Sequence, residues 1–143
     1  MNNAPISLAR LAPACRTLGS MIEPANNARR TGPALEAMYR FMLWLIPAVD
    51  KFPRSQKFLL GDRIESTALD VLQSLIAATY TRGRDALLND ANLGPEQLRI
   101  FMRLSFELRL IDSRRHEHAA RGLDEVGRLV GGWKKANHAH EAV

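Results

Sequence analysis

A single cysteine, Cys15, stands among 143 residues, so no disulfide can form within the chain. Residues 1–20 also lack a basic segment followed by a continuous apolar one, so no secretory leader is expected and a reducing, cytoplasmic setting is. Long apolar runs are missing as well. The longest, Phe41 to Val49, has nine residues and contains Pro47, whereas a membrane helix takes about 20, so no membrane span is expected. No segment alternates with the period of a strand. Aromatics make up only 6% and are not interleaved with the basic residues, as single-strand stacking platforms would require.

Constellations that support catalysis are absent too. A ferritin-like bundle needs Glu-x-x-His on two helices, and no Glu here has a His three residues on. His116 and His118 are two apart and face different ways on a helix, while His138 and His140 fall in the expected tail. Cys15 has no fixed base beside it. Gly131-Gly132 follows a helix instead of opening one, so it lacks the geometry of a phosphate loop. Neither a metal, a cofactor nor an enzymatic activity is expected. Gly127 and Gly131 are read instead as small residues for close helix packing, with Gly132 near a helix end.

Acidic residues are fewer than basic ones, 15 against 20, for a net charge of +5. Residues 1–33 hold Arg10, Arg16, Arg29 and Arg30 against Glu23, which is +3 of that excess and leaves +2 for 34–143. Net charge alone is therefore a weak pointer to nucleic acid.

What is present is helical period. Leu35, Met38, Met42, Leu45, Val49 and Phe52 follow steps of three and four, as do Gly61, Ile64, Ala68, Val71, Leu75 and Ala78. A third series is Leu98, Phe101, Ser105 and Leu108; a fourth is Ala119, Leu123, Val126, Val130 and Trp133. Breaks are expected at Lys51–Arg54, where Pro53 precedes a capping Ser55, at Asn89–Pro95, and at Ile111–Ser113, where Asp112 or Ser113 caps the last helix. Arg84 to Asn89 either extends the second helix or forms a separate turn. The pattern is all-α, an antiparallel up-down-up-down four-helix bundle over residues 34–136. A proline-rich extension at 1–33, expected to be mostly disordered with a short helical turn near Ile6–Leu11, and a frayed tail at 137–143 flank it.

Two helices carry more apolar surface than one bundle interior takes. Twelve of the fifteen residues 35–49 and nine of the fourteen residues 98–111 are apolar. Phe41, Leu43, Trp44, Ile100, Phe106 and Leu110 lie off the seam, which points to self-association; a wider single core is the alternative. Basic residues form rows: Arg114, Arg121, Arg128 and Lys135 recur every seven residues, and Arg99 stacks with Arg103. Such rows suit phosphates along a backbone. They equally suit a solvated face, because Glu117 precedes Arg121 and Asp124 precedes Arg128 by four. Arg63, beside Asp62 and Glu65, fits an ion pair, a subunit boundary or a phosphate contact. Nucleic-acid binding of this kind is sequence-independent and salt-sensitive.

Three segments resemble one family. Phe52-Pro53-Arg54-Ser55-Gln56-Lys57-Phe58-Leu59-Leu60-Gly61-Asp62-Arg63-Ile64 is similar to its junction between helices one and two. Asn92 through Leu104, with Leu98-Arg99 and Arg103-Leu104, resembles the start of its third helix. Asp124-Glu125-Val126-Gly127-Arg128-Leu129-Val130-Gly131-Gly132-Trp133 is similar to its closing signature, the most specific of the three. The family is the accessory variability determinant of diversity-generating retroelements, and the resemblance covers about residues 35–136. It implies a bundle that assembles as a pentamer and binds the element's reverse transcriptase and template RNA or cDNA, supporting mutagenic reverse transcription. The related bundles encoded in ribosomal RNA intervening sequences imply the alternative, a protein-interaction module. With the family in view, the residues expected to meet nucleic acid or the transcriptase are Arg54, Lys57, Arg63, Arg99, Arg103, Arg114, Arg115, Arg121, Lys134 and Lys135.

Overall fold

Gly32 opens the first helix in a left-handed conformation (φ 81°), and Pro33 takes the first helical position, where its missing N–H has no partner to lose. The computed structural model describes residues 31–142; the expected extension at 1–33 lies outside them up to residue 30, as do Cys15 and the turn near Ile6–Leu11. Helix α1 spans Pro33–Asp50. Helix α2 covers residues 54–80 in three pieces, a short α turn Arg54–Gln56, a π-helical turn Lys57–Gly61 and the long segment Asp62–Tyr80. Helices α3 (Asp85–Glu107) and α4 (Ser113–Glu141) complete the fold, and no strand occurs among the described residues. α1 packs on α2, α2 on α3, α3 on α4, and α4 back on α1.

The interior is built from the expected seams of α1, α2 and α4. All six seam positions of α1 and its exit, from Leu35 to Phe52, are buried, as are Ile64, Ala68, Val71, Leu75 and Ala78, then Ala119, Leu123, Val126 and Val130. On α3 the buried set is Leu88, Ala91, Gly94, Pro95, Leu98, Met102 and Ser105. Met102 replaces Phe101, which is half-buried, and Leu108 lies exposed beyond the helix end.

The expected break at Asn89–Pro95 is corrected. α3 runs through Pro95, and the chain breaks instead at residues 81–84, where Thr81 turns extended (φ −115°, ψ 140°). Pro95 forfeits one helical N–H and crowds the preceding turn. Burial of Leu88, Ala91 and Leu98 on one continuous stripe outweighs that loss. Gly94 is kept bare by the neighbouring helix, since a Cβ there would stand 1.9 Å from Val71 Cγ2.

Other local expectations shift similarly. Ser55 does not cap α2: Pro53 is the N-cap residue, and its carbonyl accepts from the N–H groups of Gln56 (2.9 Å) and Lys57 (2.8 Å). The π turn that follows puts Leu60 and Gly61 inside and leaves Phe58 and Leu59 in solvent. Asp112, rather than Ser113, caps α4 by accepting from the Arg115 N–H at 2.8 Å. The segment expected to fray from residue 137 is helical to Glu141, and Gly132 is nine residues from that end. Tertiary contacts hold these last turns: Trp133 packs against the core, and Asn137 Nδ2 donates to Asp85 Oδ1 at 2.7 Å. The packing glycine of α4 is Gly122, where a Cβ would stand 2.7 Å from Phe41; around Gly131 nothing lies within 4 Å.

α3 closes on Arg109, whose φ of 60° is the left-handed conformation that usually selects glycine. The Leu110 N–H reaches back to the Ser105 carbonyl at 2.9 Å, closing the turn. Arg109→Gly should relieve the Cβ strain and raise stability by about 1 kcal/mol, read as a higher denaturant midpoint; an unchanged or lower midpoint would show that the Arg109 side chain contributes more than its backbone costs.

Candidate nucleic-acid and subunit interface

The basic side chains divide into two groups according to whether a carboxylate holds them. Arg99 is tied twice, through Nη1 to Glu96 (2.7 Å) and through Nη2 to Asp124 across the α3–α4 boundary (2.8 Å). Arg103 pairs with Glu107 at 2.9 Å, Arg121 with Glu117 at 2.6 Å, Arg128 with Glu125 at 2.8 Å and Arg40 with Glu36 at 3.4 Å. Lys57 is bound to Asp50 across the α1–α2 junction. Asp124 therefore serves Arg99 and not Arg128, whose partner is Glu125.

Of the ten residues expected to contact nucleic acid or the transcriptase, Lys57, Arg99, Arg103 and Arg121 are thus engaged inside the protomer. Among the described residues Arg54, Arg63, Arg114, Arg115, Lys134 and Lys135 carry no ion pair, and neither do Lys51, Arg82, Arg84 and Arg109, which the expected set did not include. The seven-residue row on α4 is interrupted by its paired members Arg121 and Arg128. Uncompensated cations gather instead around the chain turns. Lys51 and Arg54 flank the α1–α2 junction; Arg109, Arg114 and Arg115 surround the α3–α4 turn; Arg82 and Arg84 form the α2–α3 turn, with Lys134 and Lys135 on the last turns of α4. Sequence spacing does not reveal this division, because Arg54, Arg82, Arg109, Arg114 and Arg115 each have an acidic residue three or four positions away, as the paired arginines do.

Arg63 stands exposed at one end of an open groove between α2 and α3, lined also by Thr67, Asp70, Asp90 and Gln97. The Arg84 guanidinium lies 5.8 Å from the centre of the Trp133 ring, a cation–π contact.

Protonation is perturbed at the Asp50–Lys57 pair. The hydrogen bond from Lys57, with its charge, holds the Asp50 carboxyl below the ordinary 3.8, and the same bond raises the Lys57 ammonium above 10.5. The carboxylate's contribution is present above 3.8 and is lost as pH falls through its depressed folded value. That of the ammonium is present below 10.5 and is lost as pH rises through its raised folded value. Both groups face solvent, so the effect is small. Wild type should melt slightly above Asp50→Asn at neutral pH, with the two converging at both extremes. A gap that persists at strongly acid pH would contradict the pairing.

The six residues expected at a subunit interface separate by depth. Phe41 is corrected: only 4% of it is exposed, because Gly122 lets the ring sink between α1 and α4. Trp44 and Leu110 pack against the core at its margin. Leu43 (61% exposed), Ile100 (63%) and Phe106 remain outside. Their neighbours extend two stripes at helical spacing, Tyr39–Leu43–Ile46 on α1 and Leu93–Ile100–Leu104 on α3, all exposed. Two histidines border these stripes, His118 with its ring 4.5 Å from Trp44 and His116 stacked on Phe106 at 4.8 Å.

Among the described residues no helix is long and apolar enough to cross a membrane. Neither the curated proteins nor the solved structures compared with the chain give a match. A family model described as bAvd-like matches residues 34–137. That span reaches into all four helices and contains each of the three segments that carry the resemblance, and the chain therefore belongs to the bAvd-like family, the accessory variability determinant proteins.

Proposed function

We propose that this protein is a non-enzymatic, cytoplasmic accessory subunit of a diversity-generating retroelement. It self-assembles as a homopentamer and binds the element's reverse transcriptase together with template RNA or cDNA. Membership of the family supports the partner class. The single observation that carries the mechanism is the pairing of exposed apolar stripes with uncompensated cations at the turns. The non-enzymatic reading rests on the interior: among the described residues the buried polar residue is Ser105, and its Oγ donates to the Phe101 carbonyl of its own helix.

An antiparallel up-down-up-down course is part of this reading. Asp85 meets Asn137, Arg99 meets Asp124 and Phe106 stacks on His116, so α3 and α4 run in opposite senses. Trp44 meets His118 while Gly122 faces Phe41, which gives the same relation for α1 and α4. With α1 packed on α2 and α4, and α3 packed on the same two, α1 and α3 lie on a diagonal. Their apolar stripes then look out from opposite sides of the protomer. Two different patches on opposite sides make a heterologous interface, which forms a ring where the rotation between copies closes, as in the proposed pentamer. The two-fold dimer, in contrast, uses one patch twice. A closed ring repeats each set of turns around its axis, so cations too sparse on one protomer become a field.

The experiment is filter binding of the template RNA over a salt series. Replacing Arg54, Arg114, Arg115, Lys134 and Lys135 by Gln should reduce affinity by at least about 100-fold and flatten the salt dependence, because each lost phosphate contact lowers the slope by about 0.7 to 0.9. Replacing the paired Arg103 and Arg121 should cost less than about threefold. Equal losses in the two variants would remove the free cations from the mechanism. Absence of saturable RNA binding by the unaltered chain would favour the protein-only module, with the transcriptase held by the apolar stripes alone.

A further inference from the structure

We propose that Asp85, His138 and Glu141 form a binding site for a divalent transition-metal ion, of which zinc is the best fit. The site is independent of the reading given above for nucleic acid. It arises because α4 continues to Glu141: His138 and Glu141 lie three apart, on one face of the helix, and that face meets Asp85 at the start of α3. One ligand atom from each residue lies within 4.8 Å of the other two. Around a tetrahedral ion with bonds of about 2.0–2.2 Å the ligand atoms stand about 3.4 Å apart. Closing the difference takes rotation of the two exposed side chains, His138 and Glu141, with the backbone in place.

Three features favour an ion here. The donor set is one imidazole and two carboxylates, which suits zinc and its first-row neighbours better than magnesium or calcium, whose shells are all oxygen. Asn137, half-buried on the same face, donates from Nδ2 to Asp85 Oδ1 (2.7 Å) and to Glu141 Oε1 (3.3 Å), holding both carboxylates toward one point. Among the described residues neither carboxylate is in an ion pair, although Arg84 adjoins Asp85 in the chain; the Arg84 guanidinium is turned onto Trp133 instead. Three protein ligands leave a coordination position for water. Such an ion would clasp the end of α4 to the start of α3, and its binding free energy would add to the stability of the folded state.

The test uses the untagged full chain and Zn²⁺ alone, titrated calorimetrically and by competition with a chromogenic chelator. One ion per protomer should bind at about 10 μM. A hundredfold excess over that should raise the melting temperature by about 5 °C. His138→Ala and Asp85→Asn should each weaken binding at least about tenfold. His140→Ala, an exposed histidine two residues on, and Cys15→Ser should stay within about twofold of wild type. All four changes are outside the buried core or the described residues, and circular dichroism verifies that each variant is folded. Absence of saturable binding up to about 1 mM, equal losses in His138→Ala and His140→Ala, or loss of binding in Cys15→Ser would each overturn the site.

Discussion

A chain carrying Leu43→Glu and Ile100→Glu together should fail to form the proposed assembly and behave as a single protomer of 16.0 kDa. Leu43 and Ile100 are each more than 60% exposed in the protomer and sit on α1 and α3, helices that do not adjoin in the cycle of packed pairs. Covering each side chain by a neighbouring subunit contributes about 1.5–3 kcal/mol, and a buried unpaired carboxylate in its place reverses the sign at every interface of the ring. Because neither side chain belongs to the protomer core, helix content should be unchanged, in contrast to Phe41→Glu, which would place a charge in the interior and unfold the chain. The single variants discriminate further. If the α1 stripe of one copy meets the α3 stripe of the next, an equimolar mixture of Leu43→Glu and Ile100→Glu chains should yield heterodimers through the one intact junction. Light scattering reads both results, and heterodimers would not form if each stripe met its own equivalent.

Gly94→Ala should lower stability by about 2–3 kcal/mol, a large share of the total for a domain of this size. The new Cβ would lie 1.9 Å from Val71 Cγ2, and both residues are buried between α2 and α3, so one helix must move or Val71 must leave its rotamer. Alanine's better helix propensity offsets about 1 kcal/mol of this. Adding Val71→Ala removes the obstructing methyls, so the double variant should be less destabilised than the sum of the singles, with a coupling of about 1–2 kcal/mol. Denaturant midpoints in the monomeric background give these values free of assembly effects. Gly131→Ala and Gly132→Ala supply the opposite expectation. No atom lies within 4 Å of a Cβ at either position, so each should gain up to about 1 kcal/mol from helix propensity alone. Additive losses at Gly94 and Val71 would mean that the helices are not in contact there.

Three of the four helices were legible because their seams depend only on local spacing. Leu35 to Phe52, Gly61 to Ala78 and Ala119 to Val130 follow the helical period, and all are buried. What failed depended on partners distant in sequence. Gly94-Pro95 has the form of a helix start, yet Val71 and the apolar stripe from Leu88 to Leu98 make it a helix interior. Phe41 looks like surplus surface until Gly122 opens a groove for it, and that pairing spans 81 residues. Asp124 could serve Arg128 or Arg99, and only the α3–α4 geometry decides for Arg99. The same holds for the tail: nothing near residue 137 reveals that Asp85 anchors it, so His138 read as frayed. For the interface, residue type and spacing indicated which helices carry excess apolar surface and which cations exist, while the split between engaged and free cations needed the folded chain.

The binding of template RNA by the assembly-deficient Leu43→Glu, Ile100→Glu chain bears most directly on the idea that self-association makes a useful positive field. This variant keeps every arginine and lysine and changes only how many protomers present them together. Filter binding between about 50 and 200 mM salt should show affinity at least about 30-fold below wild type and a shallower salt slope, since one protomer neutralises few phosphates. Affinity and slope equal to those of wild type would contradict the idea, because the cations would then act without the ring.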